Sequence, residues 1–191
     1  MQNLVLDNDA VSLARGLQLQ PILEVLMAAI GERKCVVEKG TYVEMNRAGL
    51  GGVVDKWMQA GLLADPIDYR RLEHGDRLFR EIDRVFAKRT LSKNDRASLV
   101  VGVSLKPAGI LTCERLLRDA ALALDVLPLD LFDLIRFGVQ LEIVAEARAI
   151  QLCEPWDDKH RAGRPIDYAG SFAAESAIRD SSKPLPNLRL R

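Results

Sequence analysis

Two short apolar runs, Asn3-Leu4-Val5-Leu6 and Ala108-Gly109-Ile110-Leu111-Thr112, decide how this chain folds. Runs of this length bounded by polar residues read as buried strands. The first delivers Asp7 at its carboxyl end, and the second is followed two residues later by Glu114. Lys34-Cys35-Val36-Val37 is a further strand candidate, Asp125-Val126-Leu127 another, and Gly61-Leu62-Leu63-Ala64 a minor one. Longer stretches with apolar residues at helical spacing lie between them. Leu13, Leu17, Leu23, Leu26 and Ile30 mark a face over residues 11–30, where Gly16 and Pro21 signal a break or two shorter helices. Residues 41–45 and 53–59 start helices, and residues 70–88 form a charged helix with Leu78, Ile82, Val85 and Phe86 as its one apolar stripe. Residues 91–105 read as a turn and a compact helix with Asn94 as candidate cap, and residues 114–124, 131–137 and 139–152 as further helices. Short strands alternating with longer helices predict an α/β fold, a three-layer sandwich around a mostly parallel sheet.

The 191 residues match one domain with an appendage. A hydrophobic fraction of 48% with 28% charged residues supports a packed core and argues against general disorder. The 27 basic and 27 acidic residues cancel, so a strongly basic, non-specific nucleic-acid binder is disfavoured. A nuclease with an acidic, metal-filled site and a local basic rim remains compatible. Cys35, Cys113 and Cys153 share no metal-ligand spacing and read as reduced thiols of a cytoplasmic protein. His74 and His160 have no pattern around them that would serve a zinc hydrolase or a Ser-His-Asp site, and both read as surface residues. No signal peptide and no apolar run near the roughly 20 residues of a membrane span is visible, so no membrane partner is expected. Proline becomes frequent from Pro155 onward. Residues 1–154 therefore read as the folded domain and residues 155–191 as an extended or partner-binding tail.

Ligands of an open parallel sheet bind beyond the carboxyl ends of its strands. If the first strand and the Ile110 strand are neighbours, Asp7 and Glu114 converge on one edge. Asp95 opens the helix that feeds the second of these strands, and Glu44 lies near the start of the helix after Val37. Clustered carboxylates repel one another unless they bind protons or a cation. A hard divalent ion suits oxygen ligands, activates water and stabilises charge on phosphate oxygens. Plainer readings stand beside this one. Asp95 can serve only as a helix cap, Glu44 can be an ordinary surface residue, and Glu114 can pair with Arg118 at i,i+4 spacing.

Leu91-Ser92-Lys93-Asn94-Asp95-Arg96-Ala97-Ser98-Leu99 and the later Ile110-Leu111-Thr112-Cys113-Glu114-Arg115 resemble the second half of a PIN domain, where a helix opens with an acid and a strand ends in Thr, a variable residue and an acid. Leu4-Val5-Leu6-Asp7 is similar to that family's opening strand and first acid, and Tyr42-Val43-Glu44-Met45 occupies the place of its second. The resemblance spans residues 3–150. It implies a metal-dependent ribonuclease (a hydrolase) that cleaves single-stranded RNA with Mg²⁺ or Mn²⁺. It also implies the toxin of a toxin–antitoxin pair, with a cognate antitoxin and a homodimer as partners. Carried over residue by residue, the catalytic acids are Asp7, Glu44, Asp95 and Glu114, with Asp7, Asp95 and Glu114 as metal ligands. The chain departs from the pattern in having Glu at the fourth acid position and Asn8-Asp9 after the first acid, where a small hydroxyl residue is frequent. Glu38 competes with Glu44, and Asp9 or Asp119 with the main set as an extra ligand. Two alternatives stay open. One is a catalytically impaired PIN-like interaction module. The other is a haloacid-dehalogenase-like phosphatase, in which Asp7 attacks phosphate and Asp9 acts as acid and base.

Overall fold

Leu4, Val5 and Leu6 are almost wholly removed from solvent, and a strand buried on both faces needs backbone partners on both sides. The computed structural model, which describes residues 2–86 and 91–152, provides them. Strand β1 (Asn3–Leu6) lies between β2 (Cys35–Val36) and β3 (Ala108–Leu111), and β4 (Leu127–Leu129) flanks β3. All the pairings are parallel: Val5 sits opposite Val36 on one side and Ile110 on the other, and Leu111 opposite Leu129. The chain is thus an α/β protein on a parallel sheet of order β2-β1-β3-β4.

Crossovers between parallel strands are right-handed, and this sets which face each helix covers. Helices α1 (Asn8–Gly16) and α2 (Gln20–Ile30) lead outward from β1 to β2. The return from β2 to β3 runs the other way and ends in α6 (Lys93–Ser104), and α7 (Arg115–Ala123) continues from β3 to β4. Helix α6 packs on β1, β3 and α7, whereas α2 packs on β1 from the α1 side, which completes the three layers. Side chains alternate accordingly. Val5, Val36 and Ile110 join Leu99, Val100, Leu117 and Val126 in one core, while Leu4, Leu6, Cys35 and Leu111 point to the other face, where Val11, Leu23 and Met27 are buried.

Between β2 and α6 the chain forms α3 (Lys39–Arg47), α4 (Gly51–Gln59), a 3-10 turn at Tyr69–Arg71 and α5 (Gly75–Val85). The stretch at residues 61–64 makes only an isolated bridge, Leu63 to Cys35, and Ile67 bridges Glu38 in the same way. Pro21 sits in the first turn of α2, where its missing N–H costs nothing, so Gly16 and Pro21 do separate two helices. Several local expectations change, among them the helix expected over 139–152, which begins only at 146. Ser92, not Asn94, caps α6. Val85 is 65% exposed and lies outside the apolar stripe of α5. The last strand runs to Leu129, two residues beyond the apolar triplet that announced it.

The described residues divide into two compact units, the first ending at Leu131 and the second beginning at Phe132. The second contains most of α8 (Leu131–Gln140), whose Arg136 and Asp133 lie 3.9 Å apart at i,i+3, and a helix over 146–152. The tail expected at 155–191, which includes His160, lies outside the described residues, as does Cys153. Among the described residues no helix is long and apolar enough to cross a membrane.

Candidate functional site

The strand registers, extended by one or two residues, set Glu38, Asp7, Thr112 and Asp130 abreast at the carboxyl edge of the sheet. The backbone pairing continues that far, since Asp7 N–H donates to Leu111 and Thr112 N–H to Leu129. All four are buried, and so are Thr41, Asp95 and Ser98. These seven make up the buried polar and charged side chains of the described residues. Thr41 and Ser98, joined by a 3.2 Å hydrogen bond, tie α3 to α6 behind the edge.

Each acid also serves a helix start. Asp7 is the N-cap of α1; its Oδ1 accepts from Asn8 N–H at 2.8 Å and its Oδ2 from the Thr112 hydroxyl at 2.7 Å. The same hydroxyl accepts from Glu114 N–H at 3.2 Å, which fixes the turn between β3 and α7. Glu38 caps α3, its Oε2 receiving the Gly40 and Thr41 amides. A Cβ at position 40 would collide with the Asn94 side chain, so glycine there lets the start of α6 close against Glu38. Asp95 closes a capping box with Ser92: its Oδ2 accepts from Ser92 N–H at 2.7 Å while its own N–H donates to Ser92 Oγ at 3.1 Å. Glu114 stands at the N-cap of α7 without a side-chain capping bond.

Electrostatics join these residues. Burial pushes Asp7 up from the ordinary 3.8 to about 7; the Thr112 hydroxyl pulls the other way, and the charges of Asp9 and Asp95 push further. Burial also raises Glu114, with Asp95 and then Asp9 adding to it. Burial raises Glu38 against the pull of the Gly40 and Thr41 amides. The charges of Asp95 and of Asp9, from the exposed first turn of α1, each act on both Asp7 and Glu114. No cation pairs with Asp7, Glu38, Asp95 or Glu114 among the described residues. Arg118 pairs with Asp130 at 2.8 Å rather than with Glu114, and Arg115 faces Asp119 at 3.9 Å. Glu44 stands apart, half-exposed on the second turn of α3.

Oxygen is the only donor these acids offer, which suits a hard cation and not zinc held by sulfur or imidazole. Among the described residues no three of them are gathered as closely as metal ligands stand. Both oxygens of Asp7 and one of Asp95 accept a hydrogen bond, each keeping a further lone pair for an ion, and Asp9 and Glu114 are the more solvent-exposed of the four. The thiols suit that part poorly: burial pushes Cys35 and Cys113 up to about 12, which disfavours the thiolate at neutral pH.

Sequence reasoning gave little weight to Glu38 and passed over Asp130. Glu38 follows the apolar run 34–37 as directly as Asp7 follows 3–6, so the strand-end argument that selected Asp7 applies to it equally. Asp130 was hidden because the last strand was placed two residues too early. No family model, no curated protein and no solved structure matches this chain.

Proposed function

We propose that this chain is a Mg²⁺- or Mn²⁺-dependent endoribonuclease of PIN type that cuts single-stranded RNA at the carboxyl edge of its sheet. The observation that carries the reading is Asp7: a carboxyl group buried at a strand end, raised to about 7, with Asp9 and Asp95 acting on it and no described cation to offset them. A divalent ion held by these carboxylates would supply that offset, together with the Lewis acidity that water activation and phosphate oxygens need. The protein's part is to hold the carboxylates. Thr112 aims Asp7, the capping box fixes Asp95, and Glu114 and Asp9 would have to close in to complete the oxygen set. The resemblance gives the second acid to Glu44. The burial of Glu38 abreast of Asp7 favours Glu38 in that role.

Titration calorimetry with Mn²⁺ and cleavage of a labelled single-stranded RNA test the reading together. The expected result is one class of Mn²⁺ sites and cleavage that EDTA stops, both lost in Asp7→Asn. Glu38→Gln lowers the rate roughly 10–100-fold, the range found when a group supporting metal ligands is removed, and Glu44→Gln stays near wild type. Absence of both Mn²⁺ binding and cleavage would leave the fold as an interaction module, and phosphate trapped on Asp7 would mark a phosphatase. The antitoxin and homodimer that accompany the reading are tested by light scattering of the purified chain and by co-expression with the neighbouring reading frame.

A further inference from the structure

A groove of about 480 Å³ lies beside the row of acids. Ile67 in its wall bridges Glu38 in parallel register, and Glu38 stands next to Asp7. The groove therefore begins two strand spacings, roughly 10 Å, from Asp7 along the same edge. Its lining is largely apolar, with Tyr42, Pro66, Ile67 and Leu72 contributing to it. The Tyr42 ring is held in place by its hydroxyl, which donates to Asp55 at 3.1 Å. The rim is cationic. Lys39 and Arg71 both line the groove and are exposed, and Arg71 makes no ion pair among the described residues. The one acid of the lining, Asp68, is taken up by a two-bond fork from Arg70, with Lys39 3.7 Å away. This pairing holds Asp68 well below the ordinary carboxylate range, at about 2, with the Arg70 hydrogen bond as the main cause.

We propose that this groove seats one nucleotide of single-stranded RNA beside the bond that is cut, a subsite that rests on the ribonuclease reading. An aromatic and apolar wall takes the face of a base whatever its identity, and cations at the rim take the backbone phosphate. The volume lies within the range of small-ligand pockets. A chain of zero net charge can hold RNA in this way because the positive charge is local, beside the acids and not over the whole surface.

The test is binding of a fluorescein-labelled five-nucleotide RNA, followed by anisotropy in EDTA, with cleavage in Mn²⁺ measured separately. Lys39→Ala with Arg71→Ala is expected to weaken binding on the order of tenfold and to flatten its dependence on salt, since two phosphate contacts are lost. Tyr42→Leu weakens it by roughly a similar factor through the loss of base stacking. Lys34→Ala with Lys106→Ala removes the same charge ahead of β2 and β3, at the opposite edge of the sheet, and leaves affinity unchanged. Equal loss in both double variants, wild-type affinity in the Lys39/Arg71 variant, or no binding by the wild type overturns the subsite. Groove-dependent binding without cleavage upholds the subsite and removes the nuclease. Cleavage with groove variants indistinguishable from wild type does the reverse.

Discussion

Replacing Asp7 with Asn keeps the shape of the side chain and removes a charge that the fold accommodates poorly. At roughly 1.36 kcal/mol for each tenfold change in proton affinity, the gap between 3.8 and about 7 makes the buried charge cost about 4 kcal/mol. The sign follows from where the proton is held more tightly. The folded state keeps it up to about 7 and the unfolded chain loses it near 3.8, so rising pH destabilises the protein throughout that window and no further above it. Asn retains an oxygen for the Asn8 N–H, and the Thr112 hydroxyl can turn to accept from the new amide. Asp7→Asn in EDTA is therefore expected to be more stable than wild type at pH 8 and nearly equal to it at pH 4. If half of the full cost is recovered, the melting temperature rises by roughly 4–8 °C for a chain of this size. Scanning calorimetry at the two pH values reads the difference. Mn²⁺ should raise the wild type at pH 8 and leave the variant where it is. An Asn variant melting at or below wild type at pH 8 would refute the claim that burial of this charge strains the apo protein.

Thr112→Val removes the donor to Asp7 and the acceptor for Glu114 N–H. It should cost about 1–3 kcal/mol in chemical denaturation at pH 8. Asp7 also becomes harder to ionise, so the acid limb of the Mn²⁺-dependent rate moves to higher pH. Ser92→Ala breaks the capping box of α6 and should lower stability by about 1 kcal/mol, seen as a lower urea midpoint at unchanged slope. Gly75→Ala places a Cβ against the Tyr69 carbonyl; a loss on the order of 1–3 kcal/mol is expected from thermal melts.

The first three strands were legible because each holds a short, compact apolar run. Leu4 to Leu6 and Ala108 to Leu111 could only be buried on both faces, and once β1 and β3 pair, Asp7 and Glu114 share an edge by geometry alone. Register and hydrogen-bond partners were not legible. Arg118 stands at the right spacing for Glu114 in the sequence but reaches Asp130, because the end of β4 comes alongside α7 in the fold. Ser92 outcompetes Asn94 as cap because Asp95, three residues on, can return the bond. Glu38 and Glu44 look interchangeable along the chain. Only the helix phase separates them, with Glu38 at the buried N-cap of α3 and Glu44 on its half-exposed flank.

Helices α1, α3, α6 and α7 all begin where the acids lie, and each helix start carries a partial positive charge of about half a unit. With the carboxylates bare, their charge outweighs these dipoles and keeps a phosphate off the acids themselves. A dication that cancels two of the carboxylates would leave the remaining charge roughly matched by the dipoles, and the repulsion of a phosphate there would fall away. On the ribonuclease reading, the two parts of the site therefore act separately: the groove takes the strand with or without the ion, and the ion lets the scissile phosphate close on the acids.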